Sequence, residues 1–137
     1  MDGLQRFFDA QQGVYPAALE ELRSGRKQTH WMWFIFPQIA GLGHSHMARI
    51  YAIADMTEAQ AYFNHDILGA RLIECTRAML VWQGKRSAVG ILGEIDALKF
   101  ASSMTLFEAA GGDRCFADAL EAFCDGKRDS RSLELIG

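Results

Sequence analysis

The chain has 137 residues, of which half are apolar and 23% are charged, with a net charge of −3 at pH 7. This composition is typical of a single folded domain, here residues 1–137, and it lacks the basic face that broad nucleic-acid binding requires. The longest apolar run covers residues 31–37, whereas a membrane-spanning helix needs about 20 apolar residues, so we expect no membrane segment.

Apolar residues at helical spacing predict two helices at the start of the chain. Leu4, Phe7 and Phe8 share one face of the segment "LQRFFDAQQ". The segment "VYPAALEELRSG" is predicted to form a second helix. Its Pro16 is acceptable in a first helical turn, and its Gly25 is typical of a helix end.

The aromatic run "HWMWFIFPQ", residues 30–38, does not reveal its own secondary structure. An apolar run of this length is compatible with a buried strand and with a buried helical turn. We favour a short buried helix because helices are predicted on both sides, but the sequence leaves the strand open. The following segment, "GLGHSHMARIYAI", is expected to be a glycine-rich turn that enters a short helix.

The middle of the chain predicts two further helices. The segment "TEAQAYFN" begins with Thr57, a good N-cap residue. The segment "HDILGARLIECTRAMLVW" gives the clearest helical pattern in the chain, because its apolar residues recur at spacings of three and four. We expect Asp66 to cap this helix.

The last part of the chain is also expected to be helical. The segment "AVGILGEIDALKFASSMTLFEAAGG" predicts one or two helices that end at residues 111–112. A short amphipathic helix in "DRCFADALEAFCDG" and a last helical turn in "SRSLELI" follow. Alternation with a period of two is scarce, so the fold class is predicted to be all-α or mainly α, with about seven short helices around one core.

The aromatic run carries the first group of candidate site residues. Trp31 and Trp33 belong either to the core or to a pocket in which a ring stacks on a flat ligand. His30 is either a structural histidine or a donor or base in that pocket. Gln38 follows the only proline of the run, and it either caps a helix or hydrogen-bonds the edge of a ligand.

A second group of candidates lies between residues 96 and 105. Asp96 and Lys99 lie three residues apart, which indicates either a surface ion pair or a carboxylate held ionised as an acid, base or ribose acceptor. Ser102, Ser103 and Thr105 place three hydroxyl groups in one helix. Serine and threonine are mediocre helix formers, so this cluster indicates a bend or a polar pocket wall.

Cysteines and histidines indicate neither a metal site nor a disulfide framework. Cys75, Cys115 and Cys124 are odd in number and widely spaced, which is typical of a reduced, cytoplasmic protein. His44 and His46 lie two residues apart in a loop, without an evident third ligand. We therefore expect no metal and no cofactor.

Three stretches resemble a known bacterial family: "RKQTHWMWFIFPQIAGLG", "YAIADMTEAQAYFNHDILGARLIECT" and "KFASSMTLFEA". They are similar to the domain of unknown function 1810 family, some members of which carry the label "calpastatin". The resemblance runs from "LQRFFDAQ" to "SLELI" and implies a single mainly α-helical domain with no established activity. The family tends to have arginine where this chain has His44 and Ala101, and glycine where it has Ala52.

Two functions are compatible with these patterns. The first is a pocket that binds, and in one version hydrolyses, a nucleotide- or ribose-like small molecule, with Asp96 and His30 as catalytic candidates. The predicted ligand-binding residues are Trp31, Trp33, Gln38, Lys99, Ser102, Ser103 and Thr105. The alternative is a non-catalytic interaction or assembly module, since nine Phe, three Trp and three Tyr suit an interface. The ligand and the oligomeric state stay open.

Overall fold

The computed structural model describes residues 3–137. This part of the chain contains ten helices, joined by turns and loops, and no strand. The helices are α1 Gln5–Gln11, α2 Tyr15–Arg23, α3 Met32–Ile35, α4 His46–Ile50, α5 Met56–Asn64, α6 Leu68–Leu80, α7 Ala88–Leu92, α8 Glu94–Ala109, α9 Cys115–Phe123 and α10 Ser130–Ile136. The predicted mainly α class is confirmed. The count of ten in residues 3–137 exceeds the expected seven, and three of the helices, α3, α4 and α7, have only four or five residues each.

Two of the sequence ambiguities are resolved by these bounds. Residues 32–35 of the aromatic run form a helical turn, so the short buried helix is confirmed over the strand. The long apolar stretch after residue 87 forms two helices and not one. Gly93 separates them with a φ of 90°, a left-handed conformation that favours glycine.

Two of the predicted helix caps are wrong. The helix expected to start at Thr57 starts at Met56, because the Asp55 carboxylate accepts a 2.9 Å hydrogen bond from the N–H of Glu58. The helix expected to be capped by Asp66 is capped by an imidazole. Nδ1 of His65 accepts the backbone N–H groups of residues 67 and 68 at 3.2 and 3.1 Å.

The core is built around a chain of four rings from four helices. Phe7 of α1 and Tyr62 of α5 have ring centroids 5.1 Å apart. Tyr62 lies 5.4 Å from Phe107 of α8, which lies 5.8 Å from Phe116 of α9. All four side chains are fully buried. Such pairs add about 0.5–1.5 kcal/mol each beyond their buried area, so the rings hold sequence-distant helices together.

Helix α8 is the longest helix and lies against several others. It has 16 residues, and α5, α7, α9 and α10 all pack against it. Every residue from 102 to 107 is buried, so polar side chains in this half must find partners inside the protein. No helix within residues 3–137 has the length and apolar content that crossing a bilayer requires.

A buried glutamine joins the first helix to the aromatic run. Gln11 is 1% exposed. Its Nε2 donates hydrogen bonds to the Phe34 carbonyl at 2.8 Å and to the Tyr62 hydroxyl at 3.2 Å. Its Oε1 accepts from Nη1 of Arg71 at 3.1 Å. This single side chain therefore connects α1, α3, α5 and α6.

Replacing Gln11 with alanine is expected to destabilise the fold by about 2 kcal/mol, because buried polar groups then lose their partner. Urea unfolding followed by circular dichroism measures the change. The exposed neighbour provides the control: Gln12→Ala should change the free energy of unfolding by less than about 0.5 kcal/mol. Equal losses in the two variants would contradict the role given to Gln11.

Candidate functional site

A pocket of about 160 Å³ lies between the aromatic run, the glycine-rich turn and α4. We call it the Trp33–Arg49 pocket. It is lined by Trp33, Gln38, Ile39, Ala40, Gly41, Gly43, Ala48, Arg49, Tyr51 and Ala52. Two of the predicted ligand-binding residues, Trp33 and Gln38, therefore meet in one cavity.

The glycine-rich turn packs unusually close to α4. A Cβ atom on Gly43 would lie 2.6 Å from the Cβ of Ala48, so only glycine lets the turn approach this helix. The hydroxyl of Ser45 caps α4 by accepting the N–H of Ala48 at 3.1 Å. A parallel bridge between Ile39 and Ile53 ties the turn to the segment that precedes α5. These contacts place two walls of the pocket.

An arginine from α1 fixes the third wall. Arg6 donates from Nε to the Ile50 carbonyl at 2.8 Å and from Nη2 to the Ala52 carbonyl at 2.6 Å. The same Nη2 forms a 2.9 Å ion pair with Glu58. Tyr51 lies between the two carbonyls and is thereby held at the pocket. No local pattern indicates this role, because these two carbonyls and Glu58 lie more than 40 residues from Arg6.

The polar side chains of the pocket lack hydrogen-bond and ion-pair partners in the described part of the chain. The indole N–H of Trp33 is buried and has no hydrogen-bond partner among residues 3–137. Over the same residues, the side chains of Gln38 and Tyr51 form no hydrogen bond and Arg49, which is exposed, forms no ion pair. Three of these four groups can donate from nitrogen, so the pocket is suited to a ligand rich in acceptors.

The two predicted segments meet through a lysine. Nζ of Lys99 lies 5.0 Å from the ring centroid of Trp33, within the range of a cation–π contact. The same Nζ lies 3.6 Å from Oδ1 of Asp96. The start of α8 therefore lies beside the aromatic run, with Lys99 between Trp33 and Asp96. None of the predicted ligand-binding residues of α8 lines the Trp33–Arg49 pocket, so their role in binding stays a prediction.

Asp96 itself is engaged in a structural network. Its Oδ2 lies 3.0 Å from Nζ of Lys27, so each carboxylate oxygen faces an ammonium group. Lys27 also lies 5.0 Å from the ring centroid of Trp31 and donates to the carbonyl of Thr29 at 2.6 Å. Asp96 does not line the Trp33–Arg49 pocket. Its catalytic role stays a prediction.

His30 and Trp31 lie outside the pocket. His30 is exposed and is not among the lining residues. Trp31 is 0% exposed, and its indole N–H donates to Glu21 at 3.1 Å. A fully buried ring offers no face on which a ligand could stack, so the structure places Trp31 in the core. Of the two tryptophans, Trp33 is the one that reaches a cavity.

The hydroxyl cluster of α8 mainly anchors the last helix. Ser102 Oγ lies 3.3 Å from Oδ2 of Asp129, and Thr105 Oγ1 accepts the N–H of Asp129 at 2.9 Å. Asp129 is the N-cap of α10, which explains why these hydroxyls are buried in α8. Ser103 differs, because its buried hydroxyl has no partner among residues 3–137. It lies one helical turn after Lys99, on the same face of α8.

Glu21, which the sequence analysis did not single out, binds the residues that precede the aromatic run. Glu21 accepts the N–H groups of Gln28 and Thr29 at 2.6 and 2.9 Å, the Thr29 hydroxyl at 2.6 Å, and the indole of Trp31. Burial raises the pKa of Glu21, but these hydrogen bonds outweigh it and lower the pKa to about 2.

A family model and a solved structure both match this chain over nearly its full length. The model of a family described as "Protein of unknown function (DUF1810)" matches residues 1–136. The chain belongs to the DUF1810 family. It is also similar to the conserved hypothetical protein Rv1873 from Mycobacterium tuberculosis. The two sequences are 48% identical, and the crystal structure of Rv1873 superimposes on this chain with a TM-score of 0.94. The match covers 97% of this chain and 95% of that one. No curated protein sequence matches.

The family resemblance seen in the sequence is thus confirmed over nearly the full length. Neither the DUF1810 family nor Rv1873 is named for an activity. The chemistry of this member must therefore be argued from its own residues.

The depressed pKa of Glu21 predicts acid sensitivity of this DUF1810 protein. The ionised carboxylate stabilises the fold above its ordinary pKa of 4.5, and that stability is lost as the pH falls from about 4.5 towards 2. Glu21→Gln should cost about 1–2 kcal/mol at pH 7, after allowance for solvent screening, and much less at pH 2.5.

Urea unfolding at both pH values checks this expectation. Glu20→Gln is the control, because Glu20 is exposed, and it should leave the pH profile unchanged. If the Glu21→Gln deficit were the same at both pH values, the carboxylate would not be the stabilising group.

Proposed function

We propose that this protein binds a small anionic molecule of nucleotide- or ribose-like chemistry in the Trp33–Arg49 pocket. The observation that carries the proposal is the buried indole N–H of Trp33, which has no partner among residues 3–137. A buried donor without a partner costs about 1–3 kcal/mol. A small shift of the groups that cover the indole nitrogen would let an acceptor oxygen of a ligand in the pocket bond it and remove that cost.

The charges around the pocket favour an anion. Arg49 lines it without an ion-pair partner in the described chain, and the ammonium group of Lys99 lies over the ring of Trp33. A guanidinium group presents a planar fork of donors that matches phosphate and carboxylate. Gln38 and Tyr51 add an amide and a hydroxyl, which are the groups that bind ribose hydroxyls or base edges.

The size of the pocket limits what it can enclose. A volume of about 160 Å³ is below the roughly 300–1,000 Å³ of pockets that enclose drug-sized ligands. We therefore propose that it holds one end of the ligand, a phosphate with its sugar or a base, while the remainder extends over the surface. The rings of Trp33 and Tyr51 offer apolar contact to a sugar or a base.

The geometry supports binding more directly than hydrolysis. Asp96 is engaged by two lysines, and His30 is exposed outside the pocket. A general acid or base must reach the reacting group within about 2.6–3.2 Å or through one water molecule. A catalytic version of this proposal would require a ligand long enough to extend from the Trp33–Arg49 pocket to Asp96.

We also propose that the protein acts in the cytoplasm of a bacterium. Its three cysteines are free, and burial raises the pKa of Cys75 and Cys115 to about 12, so both thiols stay protonated at neutral pH. Thiols kept in this form suit a reducing compartment. The similar protein Rv1873 comes from a bacterium.

A thermal-shift panel of NAD, ADP-ribose, mononucleotides, nucleosides and phosphosugars tests the binding proposal. A true ligand at about one hundred times its Kd adds roughly 2.7 kcal/mol to the stability and raises Tm clearly. Calorimetry should then show that Arg49→Ala weakens the hit by at least about tenfold, because an ionic hydrogen bond is lost. Trp33→Phe, which removes the indole N–H, should also weaken it.

The control variant is Arg26→Ala, which removes another exposed arginine without an ion-pair partner in the described chain and should bind normally. Asp96→Asn separates binding from turnover, since it should abolish any hydrolysis and leave the affinity of the pocket nearly unchanged. A panel in which no compound raises Tm of the folded protein would contradict the proposal.

A further inference from the structure

An exposed apolar face lies where α7 meets α8. Ile95 and Leu98 are 72% and 73% exposed, the highest values of any large apolar side chain among residues 3–137. They lie three residues apart, on one face of the first turns of α8. Val89 of α7, which is 50% exposed, lies nearby. We call these three residues the α7–α8 face.

A groove of about 510 Å³ adjoins this face. Val89 and Leu98 line it together with Ala97, Ala101 and Phe123, so its floor is largely apolar. The opposite side is the loop that joins α9 to α10. Contiguous apolar surface of this kind, with a polar rim, is typical of a protein interaction site.

The two ends of the groove carry opposite charges. Glu94 begins α8 at one end. Lys127 lies at the other end, two residues before Asp129, which binds Thr105. Thr105 lies eleven residues after Glu94, or about 16 Å along the helix axis. Within residues 3–137, neither Glu94 nor Lys127 forms an ion pair, so both charges are available to a partner.

We propose that the α7–α8 face and its groove bind a second copy of this chain in a two-fold symmetric dimer. A patch with an acid at one end, a base at the other and apolar residues between them is complementary to its own reversed copy. A two-fold axis midway between Glu94 and Lys127, close to Leu98, brings Glu94 of each copy to Lys127 of the other and buries both Leu98 side chains.

The remaining charges of the groove fit this arrangement. Arg128 also lines it, but its guanidinium is already paired with Glu108 at 2.8 Å and lies 3.6 Å from Glu121. Asp129 is engaged as the cap of α10. Glu94 and Lys127 are therefore the charges that a symmetric partner would pair. The proposal does not depend on the ligand of the Trp33–Arg49 pocket, since no residue of the α7–α8 face lines that pocket.

Sedimentation equilibrium of the full chain tests the apolar part of the proposal. The wild type should be a concentration-dependent dimer, and Leu98→Asp should be a monomer at the same concentrations. Val81→Asp is the matched control: Val81 is 65% exposed directly after the end of α6, and its replacement should leave the dimer intact. Circular dichroism verifies that each variant is folded.

A charge exchange tests the pairing and the symmetry, and it keeps the proposal falsifiable if Leu98→Asp does not fold. Glu94→Lys and Lys127→Glu should each weaken the dimer by about tenfold or more, and the double variant should restore it to within about threefold of the wild type. A wild type that stays monomeric up to about 1 mM would overturn the proposal. So would a dimer that Leu98→Asp does not disrupt, or a double variant that does not recover.

Discussion

The structure depends on holding one helical turn, α3, in place. A helix of four residues has no stability of its own, because nucleation costs more than its few hydrogen bonds return. Gln11 supplies an amide to a carbonyl within this turn, and Glu21 fixes the residues that lead into it. Because the turn is fixed, Trp31 is directed into the core and Trp33 reaches the pocket.

The fixed position of α3 also determines which charged groups lie beside the pocket. Lys27 and Lys99 flank the carboxylate of Asp96, and each ammonium group lies near a tryptophan ring. Such an arrangement fixes the start of α8 against the aromatic run without an unpaired buried charge. Arg49, which lines the pocket, has no ion-pair partner among residues 3–137 and is available to a ligand.

The mainly α class and the longest amphipathic helices could be predicted from the sequence, because period and spacing are local properties. Helix α6 is the clearest case, since its apolar residues recur at helical spacing over 13 residues. The cap at His65 was missed because an imidazole is an uncommon capping group, whereas the neighbouring Asp66 is a common one. Local rules therefore gave the elements but not all of their ends.

The candidate site was predictable only in part, for a different reason. Lys99 does lie beside Trp33 and Gln38 does line the cavity, but no residue between 96 and 105 lines it. The hydroxyls of Ser102 and Thr105 were recognised as unusual, but their partner Asp129 lies more than 20 residues further on. Arg6 likewise acts across more than 40 residues. Contacts at such separations depend on tertiary packing, which no local pattern shows.

Ligand binding in the Trp33–Arg49 pocket is tested most directly by proton–nitrogen NMR, in which the indole N–H signals of the three tryptophans are followed while phosphosugars, mononucleotides and ADP-ribose are titrated in. The indoles of Trp31 and Trp82 already donate to Glu21 and to the Leu22 carbonyl, at 3.1 and 3.0 Å. We expect the Trp33 signal, assigned with Trp33→Phe, to move and saturate while the other two stay in place. A Trp33 signal that stays fixed with every compound would contradict ligand binding in this pocket.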